Sequence, residues 1–275
     1  MRKRGEPASR AWTALCVVVA VIYLFMLGPI LITAAVSFNQ SNRSLFPPQG
    51  FSLRWWTRAL SPEWLDPLMF SLQLGATASI LSVGLALPLA FALVRHRFRG
   101  RNALFALTLG PLLLPALVTG VGLLQLFQYA GFREAIGLPA LIAGHVVICM
   151  PFAVRTISVS LQGLPPSLEY AAASLGASAW RTQLHVVAPL IKNGIVAGAL
   201  FAFIHSFTDV NLSLFLARPG ETPINVKIHG VGEFGFAPTL AAGSGVTIAI
   251  PLVLVIMVQR LTGLGDFLYA ERGHG

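Results

Sequence analysis

Charge is scarce in this chain. Nineteen basic and ten acidic residues make up only 11% of its 275 positions, where a soluble domain carries about 25%. Those few charges are too few to clothe a water-facing globule of this mass, which excludes an ordinary cytosolic or secreted protein. The low hydrophobicity that keeps chains disordered is missing as well, since 55% of residues are hydrophobic and the mean hydropathy is +0.75. Lysine occurs only three times. Lys3, Lys192 and Lys227 are followed by Arg, Asn and Ile, so none fits the G-x-x-x-x-G-K-[ST] loop that cradles nucleotide phosphates. The two cysteines, Cys16 and Cys149, sit in apolar runs and indicate neither a disulfide framework nor a paired-cysteine metal site. The six histidines contain no His-Glu-x-x-His pair, which removes a zinc protease. No metal site is expected.

What the chain has in abundance is long apolar runs. Six are long enough to cross about 30 Å of hydrocarbon as helices, which takes roughly 20 residues each. They cover Trp12–Val36, Leu68–Val94, Ala103–Ala130, Leu138–Val159, Ile195–Ala217 and Leu240–Val258. A barrel would need alternating strands of about 10 residues, and these runs are continuously apolar. The expected fold is therefore all-α, a polytopic membrane protein with six transmembrane helices. Its membrane domain spans 12–260, between tails at 1–11 and 261–275. Arg2, Lys3 and Arg4 precede the first run as in a signal peptide, but 25 apolar residues exceed a usual core of 7–15 residues. The first run is thus read as a retained span.

The net charge of +9 belongs to topology rather than to nucleic acid. Lys and Arg in the N-terminal tail, in RHRFRGR (Arg95 to Arg101), in the segment after the fourth run and in the C-terminal tail number thirteen, against six in the opposite loops. Basic residues collect on the cytoplasmic side, so both termini are expected there. Pro29, Pro88, Pro111, Pro115, Pro151 and Pro251 lie inside runs. They either shape the helices or let them flex along a path. In the outer segment from Asn39 to Asp66, FSLRWWTRAL reads as a short interfacial helix, with Trp55, Trp56 and Trp64 as an aromatic belt.

The longest loop on the basic side, about 161–192, reads LQGLPPSLEYAAASLGASAWRTQLHVVAPLIK. Ser167 is the expected N-cap. Leu168, Ala171, Ala172 and Leu175 then repeat at helical spacing, and Gly176 ends the helix. Trp180, Leu184 and Val187 mark a second short helix closed by Pro189. Such a helix either packs on its own membrane helices or enters a groove on a partner.

These residues resemble the EAA signature of inner-membrane permease subunits of binding-protein-dependent ABC importers, a MetI-like family. The pattern is Glu-Ala-Ala, three residues, Gly, and apolar positions ending in Pro. Ala171, Ala172, Gly176, Ala177 and Pro189 match it in spacing. Tyr170 stands where the pattern has Glu, and Glu169 lies one residue earlier, about 100° away around a helix. From the second run onward, GALFAFIHSFTDVNLSLFLARPG and INVKIHGVGEFGFAPTLAAGS are similar to the PotC-like branch of spermidine/putrescine-type transporters. The resemblance implies a permease core in the bacterial inner membrane for a polyamine-like solute; phosphonates, opines, thiamine and ferric iron are handled by the same branch. It also implies a cytoplasmic ABC ATPase dimer that binds ATP, a second permease subunit (a different chain), and a periplasmic solute-binding protein. Glu169, Tyr170, Ala171, Ala172, Leu175, Gly176, Ala177 and Pro189 would then couple to the ATPase. Membrane lipid surrounds the whole, and no cofactor belongs to this chain.

Asp209 is the acidic residue within a span, in its outer half, and intramembrane ionisable groups mark a path or a buried pair. His205 and Phe201 precede it by one and two helical turns, with Thr208 alongside. This makes Phe201, His205, Thr208 and Asp209 the substrate-path candidates, with a structural pairing of Asp209 equally open. Two other classes compete. A membrane hydrolase would use Ser244 in Gly243-Ser244-Gly245 with His145 or His205, but small residues in spans more often permit close packing. A passive channel or secondary carrier would need no docking helix. No catalytic residue, and so no enzyme, is expected.

Overall fold

The computed structural model describes residues 10–44 and 46–262. The expected tails, 1–11 and 261–275, lie almost wholly outside the described residues. Among the described residues there is no strand, only an isolated antiparallel bridge between Asn39 and Phe51. The helices in chain order are α1 (Arg10–Ser37), α2 (Arg54–Ala59), α3 (Pro62–Arg95), α4 (Arg101–Leu113), α5 (Ala116–Tyr129), α6 (Leu138–Gln162), α7 (Ser167–Ser174), α8 (Ala179–Thr182), α9 (Ala188–Leu190), α10 (Lys192–Thr208), α11 (Ser213–Leu216), α12 (Ile224–Glu233) and α13 (Pro238–Thr262).

Four helices are long and apolar enough to cross a membrane singly: Trp12–Ser37, Pro62–Arg95, Leu138–Gln162 and Pro238–Arg260. Two further helix pairs, Arg101–Leu113 with Ala116–Tyr129 and Ala179–Leu190 with Lys192–Thr208, are bent, and the count reaches the expected six where each pair is one broken span. The first pair corrects the expectation of one continuous span over Ala103–Ala130, because α4 and α5 meet at 107°. Pro115 supplies no N–H and forces its predecessor out of the helical region, and Leu114 is extended with ψ 137°. Pro29, Pro88, Pro111, Pro151 and Pro251 stay inside their helices.

The chain divides into two compact units, Met1–Trp64 with Val231–Val246 and Leu65–Gly230 with Thr247–Gly275. In the first, Asn39 organises the turn after α1. Its Oδ1 accepts from Ser41 N and Gln49 N at 3.0 Å each, and its carbonyl accepts from Trp55 Nε1 at 2.8 Å. The expected short helix is α2, but the aromatic belt is corrected. Trp55 and Trp64 are buried within the chain, and the rings of Trp64 and Trp56 lie against Gly243 and Gly245, within 3.0 Å of where a Cβ would stand. Gly-Ser-Gly in α13 is therefore a seat for tryptophan rings.

In the second unit α6 is the central helix, packed against α4, α5, α10 and α11. Its closest neighbour is α10, through small residues. A Cβ on Gly198 would meet Thr156 Oγ1 at 2.6 Å, and one on Gly194 would overlap Ser160. Ala202 continues the stripe one turn later, fully buried. With no water to expel between helices in lipid, such close approach supplies dispersion contacts instead. Two apolar clusters result. One joins Ala86, Ala90 and Leu93 of α3 to Val154, Ile157 and Leu161 of α6 and to Val187 and Ile191. The other joins Leu74, Leu141, Ile148, Leu212 and Leu216. The N-terminus of α6 is capped from afar, since Glu221 Oε2 accepts from Leu138 N at 2.8 Å; a carboxylate there also suits the helix dipole.

Candidate functional site

The loop at 161–192 folds as two short helices joined at a sharp corner. Pro166 occupies the cap position of α7 with φ −61°, and no side chain caps it. Ser167 is the first helical residue, which corrects its expected role as N-cap; Pro166 is already set for helix entry by its ring. At the other end Gly176 takes φ +83°. Its N–H donates to Ala173 O at 2.9 Å, and Ala177 N–H donates to Ala172 O at 3.1 Å. This crossed pair of bonds satisfies the last carbonyls of α7 and needs a residue that tolerates positive φ. Ser178 then accepts from Arg181 N and starts α8.

The second helix closes within a residue of Pro189, as expected. It runs from Ala179 to Leu190 through a widened π turn at Gln183–Val187. Such a turn re-registers the hydrogen bonds ahead of a residue that has no N–H to give. Val187 and Ile191 enter the core, while Trp180 and Leu184 remain exposed. Those two line an open groove of about 530 Å³ together with Leu87, Pro88, Phe91 and His96 of α3 and the loop after it.

The helical spacing of Leu168, Ala171, Ala172 and Leu175 is present, yet among the described residues Leu168, Ala171 and Leu175 stay exposed and Ala172 is only half-buried. Leu175 is 90% exposed, Tyr170 73% and Trp180 71%. Glu169 behaves differently. Its Oε1 accepts from Arg95 Nε at 2.7 Å, and Arg95 Nη2 donates to Leu164 O at 2.9 Å. The motif's two polar neighbours therefore point apart, with Glu169 toward its own chain and Tyr170 away from it. Arg95 was legible in the sequence only as one more basic residue for topology.

The second place of interest is the end of α10. The expected run Ile195–Ala217 is not one helix. α10 stops at Thr208, and Asp209 is extended with ψ 138°. This corrects the placement of Asp209 on one helical face with Phe201 and His205. Phe201 and Thr208 remain exposed on α10, and Thr208 Oγ1 donates to Ile204 O at 2.7 Å. His205 lies against the Phe152 ring, 4.8 Å between centroids. Asp209 is only 9% exposed. Its Oδ2 accepts from both Ser213 N and Ser213 Oγ at 3.0 Å, in the manner of a cap for the short helix α11.

Ser213 continues the chain of bonds inward. His145 Nε2 is 2.9 Å from Ser213 Oγ, and His145 Nδ1 is 2.6 Å from Ser206 Oγ. One proton arrangement, assigned from the partners, satisfies every group. Ser213 donates to Asp209, His145 Nε2–H donates to Ser213, and Ser206 donates to Nδ1. His145, Ser206 and Ser213 are all buried. The residues are those of a hydrolytic triad, but they are sealed from any substrate. Both ring nitrogens of His145 are engaged by serine hydroxyls. Among the described residues no group of three or more His, Cys, Asp or Glu could hold a metal.

The same architecture occurs in known transporters. A bacterial ABC importer of the acidic polysaccharide alginate superposes with TM-score 0.70 over 95% of this chain and 99% of that one, at 17% identity; at that identity the likeness is one of fold. The spermidine/putrescine transport permease PotC of Escherichia coli (strain K12) is 30% identical over 87% of this chain and 90% of that protein. The putrescine transport permease PotI of the same strain is 31% identical over 80% of each. Residues 82–262 match the family described as "Binding-protein-dependent transport system inner membrane component". The match covers α6, the 161–192 loop and the α10 break, and the chain belongs to this family as a multi-pass permease component of an inner-membrane ABC importer.

Proposed function

We propose that this chain forms half of the translocation path for a small cationic solute of the polyamine type, and that the 161–192 loop docks into a separate cytoplasmic ATPase. The observation that carries the solute is the 30–31% identity to PotC and PotI over most of the chain. The observation that supports docking is the exposure of Tyr170, Leu175 and Trp180 around a rigid glycine corner. A helix pair whose apolar side chains face outward needs a groove to cover them.

In this reading both termini and the 161–192 loop face the cytoplasm, following the excess of Lys and Arg there. Tyr170, Ala171, Ala172, Leu175, Gly176 and Ala177 form the surface that meets the ATPase, which supplies ATP binding and hydrolysis. Pro189 and its π turn set the 76° bend through which the docked helix continues into α10. The uncovered face of α10, with Phe201, His205 and Thr208, lines the path against a second permease subunit. A periplasmic binding protein delivers the solute. Asp209 lends negative potential near the path but holds its carboxylate on Ser213.

The test is uptake of labelled putrescine and spermidine in cells that lack other polyamine importers and express this chain with its three kinds of partner. Saturable uptake that vanishes when the ATPase's P-loop lysine is replaced is the expected result. Uptake that persists without the ATPase would establish a passive channel or secondary carrier instead. Uptake of a phosphonate or another solute in place of polyamines would overturn the solute.

A further inference from the structure

The basic run after α3 is accounted for by topology alone, and topology would be served equally by any arrangement of its arginines. Arg101 Nε turns back onto Leu93 O at 2.6 Å, whereas Arg95 reaches forward to another segment. It is the last residue of α3, and its guanidinium forks across two positions of the next cytoplasmic segment, Glu169 Oε1 at 2.7 Å and Leu164 O at 2.9 Å. Both partners of the ion pair are largely covered, with side-chain exposures of 12% and 21%. Glu169 lies in the first turn of α7. A cation at a helix C-terminus and an anion at a helix N-terminus each complement the macrodipole of their own helix. The pair thus joins two helix ends that attract each other's charge, and the planar fork fixes direction as well as distance.

Position matters as much as strength. α3 is one of the four helices able to cross the membrane singly, and α7 carries the exposed Tyr170. On a helix, holding Glu169 inward on Arg95 turns the next side chain about 100° away, which is where Tyr170 stands exposed. The surrounding packing is thin there, because Leu168, Ala171 and Ala173 of α7 are themselves exposed. The ion pair is accordingly the polar fastening between α7 and α3 that the structure provides.

Resting on the docking of this loop to an ATPase, we infer that Arg95 is a positioning residue of transport coupling. Through Glu169 it makes α7 and the end of α3 move as one body, so that displacement of the docked helix reaches a membrane span directly, and it aims Tyr170 at the motor. It follows that the groove receiving this loop meets a phenol and aliphatic side chains rather than a carboxylate.

The test uses the assembled importer in proteoliposomes and reads solute transported per ATP hydrolysed. Arg95→Gln and Glu169→Gln should each lower that ratio by about tenfold, with the double variant no worse than either single, as for two members of one interaction. The exchange Arg95→Glu with Glu169→Arg should recover at least about half of the ratio, because the contact re-forms with its charges reversed. Arg95→Lys keeps the charge but loses the fork and should fall between. An unchanged ratio in the single variants, or singles whose losses add in the double variant, overturns the inference. Capture of the ATPase by the unaltered chain is measured alongside. If none is captured the docking itself fails; if it is captured and the ratio is indifferent to Arg95, only the fastening fails.

Discussion

The cluster around Asp209 and the helix pair around Gly176 depart from ordinary side-chain placement in opposite directions. At the first, a carboxylate, an imidazole and two hydroxyls are buried where apolar groups belong; at the second, leucine, tyrosine and tryptophan stand exposed where polar groups belong. The buried set is closed, since each donor of His145, Ser206 and Ser213 finds an acceptor inside the unit. The exposed set is open, because nothing among the described residues covers Leu175 or Trp180. A satisfied buried network holds shape, whereas an uncovered apolar surface marks a contact still to be made. The acidic residue that the sequence offers for the solute path is therefore engaged in holding the end of α10, and the uncovered apolar side chains lie in the loop, where docking is proposed.

The largest effect should come from breaking the closed set. Asp209→Ala strands the Ser213 N–H and hydroxyl and, behind them, His145, at a cost of about 3 kcal/mol if both donors lose their acceptor. Thermal unfolding of the purified protein in detergent would register it, with Asp209→Asn losing less because one acceptor oxygen remains. Normal stability in Asp209→Ala together with lost uptake would move Asp209 back to the solute path. At the open set the backbone matters more than any side chain. Gly176→Ala forces φ +83° on a residue with a Cβ and should cost about 1 kcal/mol, seen as faster proteolysis between α7 and α8. Smallest in stability should be Leu175→Ser with Trp180→Ala, within about 0.5 kcal/mol, yet this pair should lose capture of the ATPase. A large drop in stability there would mean that the chain itself uses those side chains.

Much of the loop was readable because its determinants are local. Glycine spacing, the paired prolines and the alanine run fixed α7, its Gly176 corner and the start of the next helix within a few residues. Pro189 marked the end of the second helix to within a residue, but not the π turn before it, whose wider register leaves its missing N–H unneeded. Asp209 misled. Hydropathy carried one apolar run past it, but the carboxylate accepts from Ser213 at the start of the short helix α11 and α10 ends before it. His145 entered the sequence reading only as a base for a hydrolase, because nothing around it announces Ser206 and Ser213, 61 and 68 residues away.

The sequence by itself determined the solvent this protein lives in, the long apolar helices and the place of the Gly176 corner, because hydrophobic length and backbone freedom are properties of neighbouring residues. Only the tertiary structure decided where Pro115 and Asp209 break their runs sharply, which tryptophans turn inward, and that Glu169 belongs to Arg95 while Tyr170 faces out. Those outcomes depend on which distant groups arrive within hydrogen-bonding or packing distance, and a linear pattern does not encode that meeting.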